Sequence, residues 1–95
     1  MNKIKLGNVI TVSNMVSDKG NTIANQFSII TDKGKVFQSY QSNIVARIDG
    51  KIYLDEYYYN YSRTTSKYRN LFLGRTTKEI ERGIKEGEFI LTNLN

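Results

Sequence analysis

The stretch from Thr31 to Leu54, TDKGKVFQSYQSNIVARIDGKIYL, decides the fold. Within it, Asp32-Lys33-Gly34 and Asp49-Gly50 each separate two apolar runs, and Asp18-Lys19-Gly20 does the same upstream. Asp-Gly between strands supplies the positive φ angles of a type I′ turn, and a three-residue loop that ends in glycine suits a G1 bulge. The pattern therefore predicts consecutive antiparallel strands joined by short turns.

Working outward from this stretch, the alternation of apolar and polar residues predicts five strands. They run from about Ile4 to Val16, Thr22 to Thr31, Lys35 to Tyr40, Ile44 to Ile48 and Lys51 to Tyr59. After the last of them, the apolar period changes from two to about 3.6, which is typical of a helix. The first half of the chain is thus a predicted antiparallel β-meander of four to five strands, with helices after it.

Local end signals predict two short helices. Ser62 is a candidate N-cap and Gly74 a candidate closing residue for the first helix. Thr76 and Glu79 have the spacing of a capping box at the start of the second, and Gly87 ends it. The tail from Glu88 to Leu94 then resembles a final strand that returns to the sheet edge. Together these elements predict an α+β fold in a single domain, residues 1–95.

Helical periodicity also predicts which face of the first helix is buried. The predicted core stripe consists of Tyr61, Thr64 or Thr65, Tyr68, Leu71 and Phe72. The opposite, solvent-facing side holds Arg63, Ser66, Lys67 and Asn70, with Arg69 at its margin. This arrangement predicts a polar, basic outer surface for the first helix.

Positive charge is concentrated in one segment. The chain carries a net charge of +5, and the segment from Tyr57 to Lys78 holds five basic and no acidic residues. The rest of the chain is balanced, with nine basic and nine acidic residues, and five of the seven tyrosines lie in the same segment. Cations neutralise phosphates and aromatic rings stack on bases, so this composition favours nucleic acid as a partner.

The candidate contact residues for nucleic acid or another partner come from this segment. They are Tyr57, Tyr59, Asn60, Arg63, Lys67, Arg69 and Arg75. A purely structural reading has equal weight for the tyrosines, because tyrosines at a strand end are commonly half-buried. The absence of acidic residues tips the balance modestly towards a contact role.

Composition argues against an enzyme. The chain has no Cys and no His, which removes thiolate nucleophiles, the commonest general base and the best transition-metal ligands. Asp55 and Glu56 would point to opposite faces of a strand, so they form no carboxylate pair and are expected to be solvated charges at a strand end. Because no glycine-rich phosphate loop is present either, we expect no catalytic residue, metal or cofactor. A tyrosine nucleophile assisted by Arg63 is a remote alternative.

The chain is also expected to be soluble and cytoplasmic. Its amino-terminal residues alternate charged and apolar side chains, which fits neither a signal peptide nor a membrane span. The lack of cysteine is in keeping with a reducing compartment.

Four sequence strings carry a resemblance to a protein family. They are QSYQSNI from Gln38 to Ile44, YSRTTSKY from Tyr61 to Tyr68, FLG from Phe72 to Gly74, and GEFIL from Gly87 to Leu91. They resemble an uncharacterised family of small proteins of phages, plasmids and other mobile elements in Gram-positive bacteria, over most of the chain from about Gln26 onward. Where that pattern usually has Trp-Asp, this chain has Tyr59-Asn60, which makes the local field more positive.

The resemblance implies a context rather than an activity. It implies an accessory protein of a mobile element that acts in the host cell, where such products bind nucleic acid or host defence machinery. Three hypotheses follow: a protein that binds nucleic acid or a nucleoprotein through the basic, tyrosine- and arginine-rich surface; a protein-directed inhibitor of a host defence complex, of the anti-CRISPR type; and a self-assembling protein that forms a homodimer through an exposed sheet edge.

Overall fold

A computed structural model describes residues 4–95, so the first three residues of the predicted domain lie outside the described residues. It contains six strands and two helices. In chain order these are β1 (Val9–Val16), β2 (Thr22–Thr31), β3 (Gly34–Ser39), β4 (Ser42–Ile48), β5 (Lys51–Asp55), α1 (Arg63–Leu73), α2 (Thr77–Glu86) and β6 (Phe89–Thr92). The predicted order of a meander, two helices and a final strand is confirmed.

The six strands form one sheet in the order β1-β2-β3-β4-β5-β6. The first five pair antiparallel with their neighbours, and β6 lies parallel to β5 after the two helices have crossed the sheet. A parallel neighbour needs such a crossover connection, whereas antiparallel neighbours need only a turn. The α+β class is therefore confirmed, with β6 at the sheet edge.

The turns follow the chemistry of their residues. Asp49 and Gly50 have φ angles of 53° and 76°, as the predicted type I′ turn requires. Gly34, in contrast, does not have a positive φ. Glycine is needed there because a Cβ atom would clash with the carbonyl oxygen of Arg47 on β4. The glycine of the second predicted turn thus serves close strand approach rather than a G1 bulge.

Both faces of the sheet are covered at its central strands, whereas β1 is exposed along almost its whole length. On one face, α1 packs over β3 and β4 and α2 packs against β6, around buried residues such as Phe37, Leu54 and Ile80. On the other face, Leu94 and Leu6 cover a smaller cluster that includes Ile29, Val36, Ala46 and Ile48. The sheet is therefore held between the helices and the two ends of the described chain.

The predicted helix ends are confirmed. The side chain of Ser62 accepts a hydrogen bond from the Thr65 N–H, and Gly74 closes α1 in the left-handed conformation. Thr76 and Glu79 form both hydrogen bonds of a capping box at the start of α2.

The buried face of α1 differs from the prediction. Thr65, Arg69 and Leu73 are buried, whereas Tyr61 and Leu71 are 66% and 54% exposed. Thr65, Tyr68 and Phe72 of the predicted stripe do face the core, so the prediction is confirmed for these three and wrong for Tyr61 and Leu71. Arg69 is buried as well because it finds hydrogen-bond acceptors inside the protein, so burial of its guanidinium is compensated.

Two strand boundaries also differ. The first strand begins at Val9 rather than Ile4, and Gly7 before it has a φ of 92°. The fifth strand ends at Asp55 rather than Tyr59, because the following residues turn. Asp55 was expected to be a solvated charge at a strand end; that expectation is wrong, since its side chain is buried and fully hydrogen-bonded.

Candidate functional site

The Asp55 carboxylate organises the tyrosine loop, defined as residues 56–61. Its Oδ2 atom accepts hydrogen bonds from the backbone N–H groups of Tyr57 at 3.1 Å and Tyr58 at 2.8 Å. Its Oδ1 atom accepts from the N–H of Leu94 at 2.8 Å and the side-chain amide of Asn95 at 3.0 Å. An aspartate that binds N–H groups two and three residues further on is a standard turn former. One buried carboxylate therefore fixes both the tyrosine loop and the carboxy-terminal tail.

Three rings of the tyrosine loop pack against each other. Tyr57 and Tyr58 meet edge to face with their centroids 4.6 Å apart, and Tyr58 and Tyr61 do so at 5.5 Å. Such edge-to-face pairs are favourable arrangements of aromatic quadrupoles. Tyr58 is half-buried against the core, while Tyr57 and Tyr61 are 69% and 66% exposed. The buried ring thus supports two rings that face solvent.

A groove, here called the tyrosine groove, lies between this loop and the β3–β4 turn. It is open, has a volume of about 620 Å³, and has Tyr58 and Tyr61 on one side and Tyr40 on the other. Its remaining lining is Asn25, Phe27, Gln41, Ser42, Ile44 and Thr65. The volume is in the range that holds small organic ligands, and the lining combines flat rings with amide and hydroxyl groups.

Tyr40, at the rim of the tyrosine groove, has a strained backbone conformation. Tyr40 has a φ of 56° and Asn25 a φ of 64°, and the Tyr40 N–H donates to the Asn25 carbonyl at 2.6 Å. Asn tolerates this left-handed region, but a bulky residue such as Tyr rarely adopts it. The cost is of order 1–3 kcal/mol, and strain of this kind persists where the surroundings over-determine the conformation.

The amino-terminal half of α1 carries two exposed cations on its solvent-facing side. Arg63 follows Tyr61 by two residues, Lys67 lies one turn further along, and both are exposed. Neither forms an ion pair within residues 4–95, and the first turn of α1 contains no acidic residue. The Lys67 Nζ atom lies 5.3 Å from the centroid of the Tyr68 ring. Because a helix amino terminus is itself positive, this end of α1 attracts anions.

Arg69 is not part of this exposed surface, which corrects the expectation from the sequence. Its side chain is 1% exposed and donates to the Tyr59 carbonyl at 2.6 Å and to Asn70 Oδ1 at 2.9 Å. Burial lowers the pKa of Arg69, while the nearby Tyr59 and Glu81 act in the opposite direction. The guanidinium therefore joins the tyrosine loop to α1 as a structural group.

Tyr59 belongs with Arg69 in this structural role. It is half-buried, its carbonyl is the acceptor just described, and its ring centroid lies 6.0 Å from the Arg69 guanidinium carbon. Asn60 is exposed and lines a separate small cavity of about 80 Å³. Of the two loop tyrosines predicted as contacts, only Tyr57 presents most of its surface to solvent.

Arg75 is accessible but not free. Its guanidinium forms a two-pronged salt bridge with Glu88, one contact being 3.1 Å, and stacks 5.2 Å from the Phe89 centroid. The hydrogen bond with Glu88 raises the pKa of Arg75, and the same bond lowers the pKa of Glu88. Tyr57, Arg63 and Lys67 are therefore the exposed members of the predicted set beside Asn60, and Arg75 belongs to the junction between α2 and β6.

Sequence reasoning missed Tyr40 and Tyr61. Tyr61 was placed in the core by helical periodicity, although it precedes the helix. Tyr40 lies between β3 and β4, and a tyrosine in a short turn between two strands is expected to have an exposed side chain. Neither residue is close in sequence to the other, so only the folded sheet brings them to one groove.

A second groove separates the β1–β2 hairpin from the helices. It has a volume of about 610 Å³ and is lined mainly by apolar atoms, including those of Ile23, Tyr68 and Leu71. Lys67 and Arg75 border it on the helix side, and Asp18 borders it on the hairpin side. Lys67 is thus shared between this groove and the cationic face of α1.

Within residues 4–95 no cluster of three or more Asp or Glu side chains could hold a metal ion. Nor is any helix in the described part of the chain long and apolar enough to cross a membrane.

The fold defines a small α+β protein with an open groove, lined by tyrosine rings and polar groups, between the tyrosine loop and the β3–β4 turn. Residues 10–89 match a family of unknown function, DUF8033, and the chain belongs to that family. No curated protein and no solved structure matches it. Membership of an uncharacterised family agrees with the resemblance found in the sequence, whereas an origin in phages or other mobile elements stays a prediction.

Proposed function

We propose that this protein binds single-stranded nucleic acid with the tyrosine groove and the exposed cations of α1. One observation carries the proposal. Three tyrosine rings, Tyr40, Tyr58 and Tyr61, line an open groove. Two exposed cations, Arg63 and Lys67, lie on the solvent-facing side of α1, the helix whose Thr65 lines the same groove. This combination of flat rings and free positive charge is the one that binds strands without base pairing.

The exposed rings supply stacking. Tyr61 and Tyr57 are more than half exposed and rest on the half-buried Tyr58, so their orientation is fixed before a ligand arrives. Stacking of a base on an aromatic side chain contributes about 1–3 kcal/mol, and it needs bases that are not already stacked in a duplex. The rings therefore favour an unpaired strand over a double helix.

The cations supply contacts with phosphate. Arg63 and Lys67 are four residues apart and so share one face of α1. Each phosphate neutralised on a single strand contributes about −0.7 to the slope of log K against log salt. Two contacts therefore predict a moderate salt dependence, with the remaining affinity from stacking.

The polar lining of the groove adds hydrogen-bonding capacity. Asn25 and Gln41 offer both donors and acceptors, and Ser42 offers a hydroxyl. Unpaired bases expose their Watson–Crick edges to such groups. The surface thus suits a single-stranded segment, alone or within a ribonucleoprotein.

The proposal is tested by fluorescence anisotropy with labelled oligothymidine, oligouridine and a hairpin duplex. Wild type should bind the two single strands more tightly than the duplex at about 50 mM salt and should lose affinity at about 200 mM. Arg63→Glu/Lys67→Glu should reduce the salt slope by about 1.4, since two contacts of about 0.7 each are lost. Absence of binding to any probe at about 100 µM protein would overturn the proposal.

Two matched controls separate charge and stacking from general effects. Lys33→Glu/Lys51→Glu makes the same change in net charge at the opposite end of the sheet and should retain the wild-type slope. Tyr61→Phe keeps the ring and should bind like wild type, whereas Tyr61→Leu should lose about 5- to 150-fold, which corresponds to 1–3 kcal/mol. Equal loss in all four variants would contradict a local site.

A host nucleoprotein of the kind implied by the mobile-element resemblance would use the same surface. A pull-down from host lysate, with and without nuclease, distinguishes the two modes. Retention of a partner after nuclease treatment would favour the alternative of a protein-directed inhibitor of a defence complex. Loss of the partner would favour binding through nucleic acid.

A further inference from the structure

Arg69 carries a buried positive charge that is not paired with a carboxylate. Its side chain is 1% exposed, and its hydrogen-bond acceptors are the Tyr59 carbonyl, Asn70 Oδ1 and Thr77 Oγ1. All three acceptors are uncharged, and the guanidinium forms no salt bridge within residues 4–95. Charged side chains are almost never fully buried unless they are paired, because burial removes the solvation of the charge. The described part of the chain therefore leaves this charge without a counter-ion.

The guanidinium also keeps one N–H group without an acceptor. Of its five N–H groups, those on Nε and Nη2 donate to Asn70 and Thr77, and one of the two on Nη1 donates to Tyr59. The second N–H of Nη1 is left over. The Thr77 hydroxyl accepts from Arg69 and, at 3.0 Å, from the Asn70 side-chain amide, so its own hydrogen remains available. One charged donor and one neutral donor are thus free to bind a ligand.

Both of these side chains line a small cavity, here called the Arg69 cavity. It has a volume of about 80 Å³ and is more enclosed than either groove. Besides Arg69 and Thr77, its lining includes Ser66 of α1, Asn60 of the tyrosine loop and Glu81 of α2. A water molecule takes about 30 Å³ of the liquid, so the cavity has room for one ion of a few non-hydrogen atoms.

The other groups around the Arg69 cavity also favour an anion with oxygen atoms. Thr77 is the first residue of α2, and the first N–H groups of a helix carry a partial positive charge. Ser66 adds a hydroxyl and Asn60 a side-chain amide, both of which can donate hydrogen bonds. Oxyanions accept several hydrogen bonds at once from such charged and neutral donors.

We propose that the Arg69 cavity binds inorganic phosphate, with Arg69 as the group that neutralises its charge. Glu81 supplies the selectivity. Its side chain is exposed and lines the cavity without an ion pair to Arg69. An ionised carboxylate only accepts hydrogen bonds, so it repels an anion that carries no hydrogen and accepts from one that does. At neutral pH phosphate keeps at least one hydrogen and sulfate keeps none, so Glu81 favours phosphate over sulfate.

The bound ion would restrain the tyrosine loop. Tyr59 and Asn60 of this loop line the Arg69 cavity, while Tyr58 and Tyr61 of the same loop line the tyrosine groove. An ion held by Asn60 of the loop and by the two helices connects these three parts of the molecule. The inference does not rest on nucleic-acid binding, because the ligand is a free ion.

A nuclear magnetic resonance titration with sodium phosphate at constant ionic strength tests the proposal. The Nε–H signal of Arg69 and the amide signal of Thr77 should shift and saturate with a Kd of about 1 mM or less. Sulfate and thymidine 5′-monophosphate should each bind at least about tenfold more weakly, the nucleotide because the cavity has no room for its sugar. No saturable shift at about 20 mM phosphate would overturn the proposal, and tighter binding of the nucleotide would reassign the cavity to a terminal phosphate group.

Variants of Glu81 test the origin of the selectivity. Glu81→Gln should raise the affinity for sulfate at least about tenfold, because the repelling charge is replaced by an amide that can donate. Glu86→Gln is the matched control, since it makes the same change at an exposed glutamate of the same helix, and it should keep the wild-type preference. A Glu81→Gln variant that loses stability while the wild type binds neither ion would identify Glu81 as the counter-ion of Arg69 and refute the phosphate site.

Variants of the donors test the position of the site. Arg69→Met should abolish the phosphate-dependent shift of the Thr77 amide. Ser66→Ala leaves Arg69 and its hydrogen bonds in place and suits a helix, so it keeps the test valid if Arg69→Met does not fold. It should weaken phosphate binding about 2- to 10-fold through loss of one hydrogen bond, and wild-type affinity in both variants would contradict this site.

Discussion

Replacement of Asp55 by Asn removes one oxygen from the group that fixes both the tyrosine loop and the carboxy-terminal tail. In the wild type, Oδ2 accepts from the N–H groups of Tyr57 and Tyr58, and Oδ1 accepts from Leu94 and Asn95. Whichever way the Asn amide is oriented, its NH₂ group faces two donors. Two hydrogen bonds to a charged acceptor are therefore lost in a site that is 2% exposed.

The magnitude follows from that count. Hydrogen bonds to charged groups contribute about 1.5–3 kcal/mol each, so Asp55→Asn should lower the free energy of unfolding by about 3–6 kcal/mol. This is a large part of the 5–15 kcal/mol typical of a small domain. Glu56→Gln makes the same chemical change one residue further on, at an exposed side chain, and should cost no more than about 0.5 kcal/mol.

Urea unfolding followed by far-ultraviolet circular dichroism measures both variants, with the slope of the transition as a check that the same surface is exposed. If Asp55→Asn is already unfolded without urea, the loss equals or exceeds the whole stability of the protein and agrees with the prediction. A loss below about 1 kcal/mol, similar to that of Glu56→Gln, would refute the assignment of Asp55 as the organising group.

Two further predictions concern the helices. Arg69→Met should lower the free energy of unfolding by about 2–4 kcal/mol, because the Tyr59 carbonyl loses its buried donor. The control Lys67→Met, at an exposed side chain, should change the free energy of unfolding by about 0.5 kcal/mol or less. If Arg69→Met is neutral or stabilising in urea unfolding, the desolvation cost of the guanidinium outweighs its hydrogen bonds. The backbone hydrogen bond from Thr76 lowers the pKa of Glu79, so its contribution to stability is present above the ordinary carboxyl pKa and is lost as pH falls through the lower, folded-state value. Unfolding measured between about pH 5 and pH 2 should therefore decline less steeply for Glu79→Gln than for wild type, and identical curves would contradict this role of Glu79.

Much of the fold could be predicted from the sequence because its signals are local. The turn at Asp49-Gly50 needs only two residues that accept positive φ, and both adopt it. The capping box at Thr76 and Glu79 likewise involves residues three apart, and both of its hydrogen bonds form. Such features depend on the chain within a few residues and are set before any long-range packing.

The buried face of α1 was predicted only in part, because the burial of Arg69 has distant determinants. Periodicity locates an apolar stripe, and the rule that arginine is exposed placed Arg69 at the margin. In the structure Arg69 is compensated by Tyr59, ten residues earlier, and lies close to Thr77, eight residues later, whose hydroxyl accepts at 3.4 Å. A buried charge of this kind depends on acceptors that only the tertiary fold brings together.

The candidate site was predicted in part. The acid-free segment correctly located the exposed Tyr57, Arg63 and Lys67, because charge composition reports surface character without knowledge of the fold. The groove itself was not predicted, since Tyr40 and Tyr61 come from different elements. The buried Asp55 carboxylate at the end of β5 fixes the turn into the tyrosine loop, and the alternation of tyrosines in the sequence gives no sign of this turn.

The shared carboxylate of Asp55 has a thermodynamic consequence for the molecule. One oxygen of this carboxylate binds the tyrosine loop and the other binds the carboxy-terminal tail. If one segment opens, the Asp55 side chain is held less firmly and its hydrogen bonds to the other segment weaken, and such coupling is reciprocal. A ligand that orders the loop must therefore also slow hydrogen exchange at the Leu94 amide, 39 residues away in sequence. That single amide is a remote reporter of events at the groove.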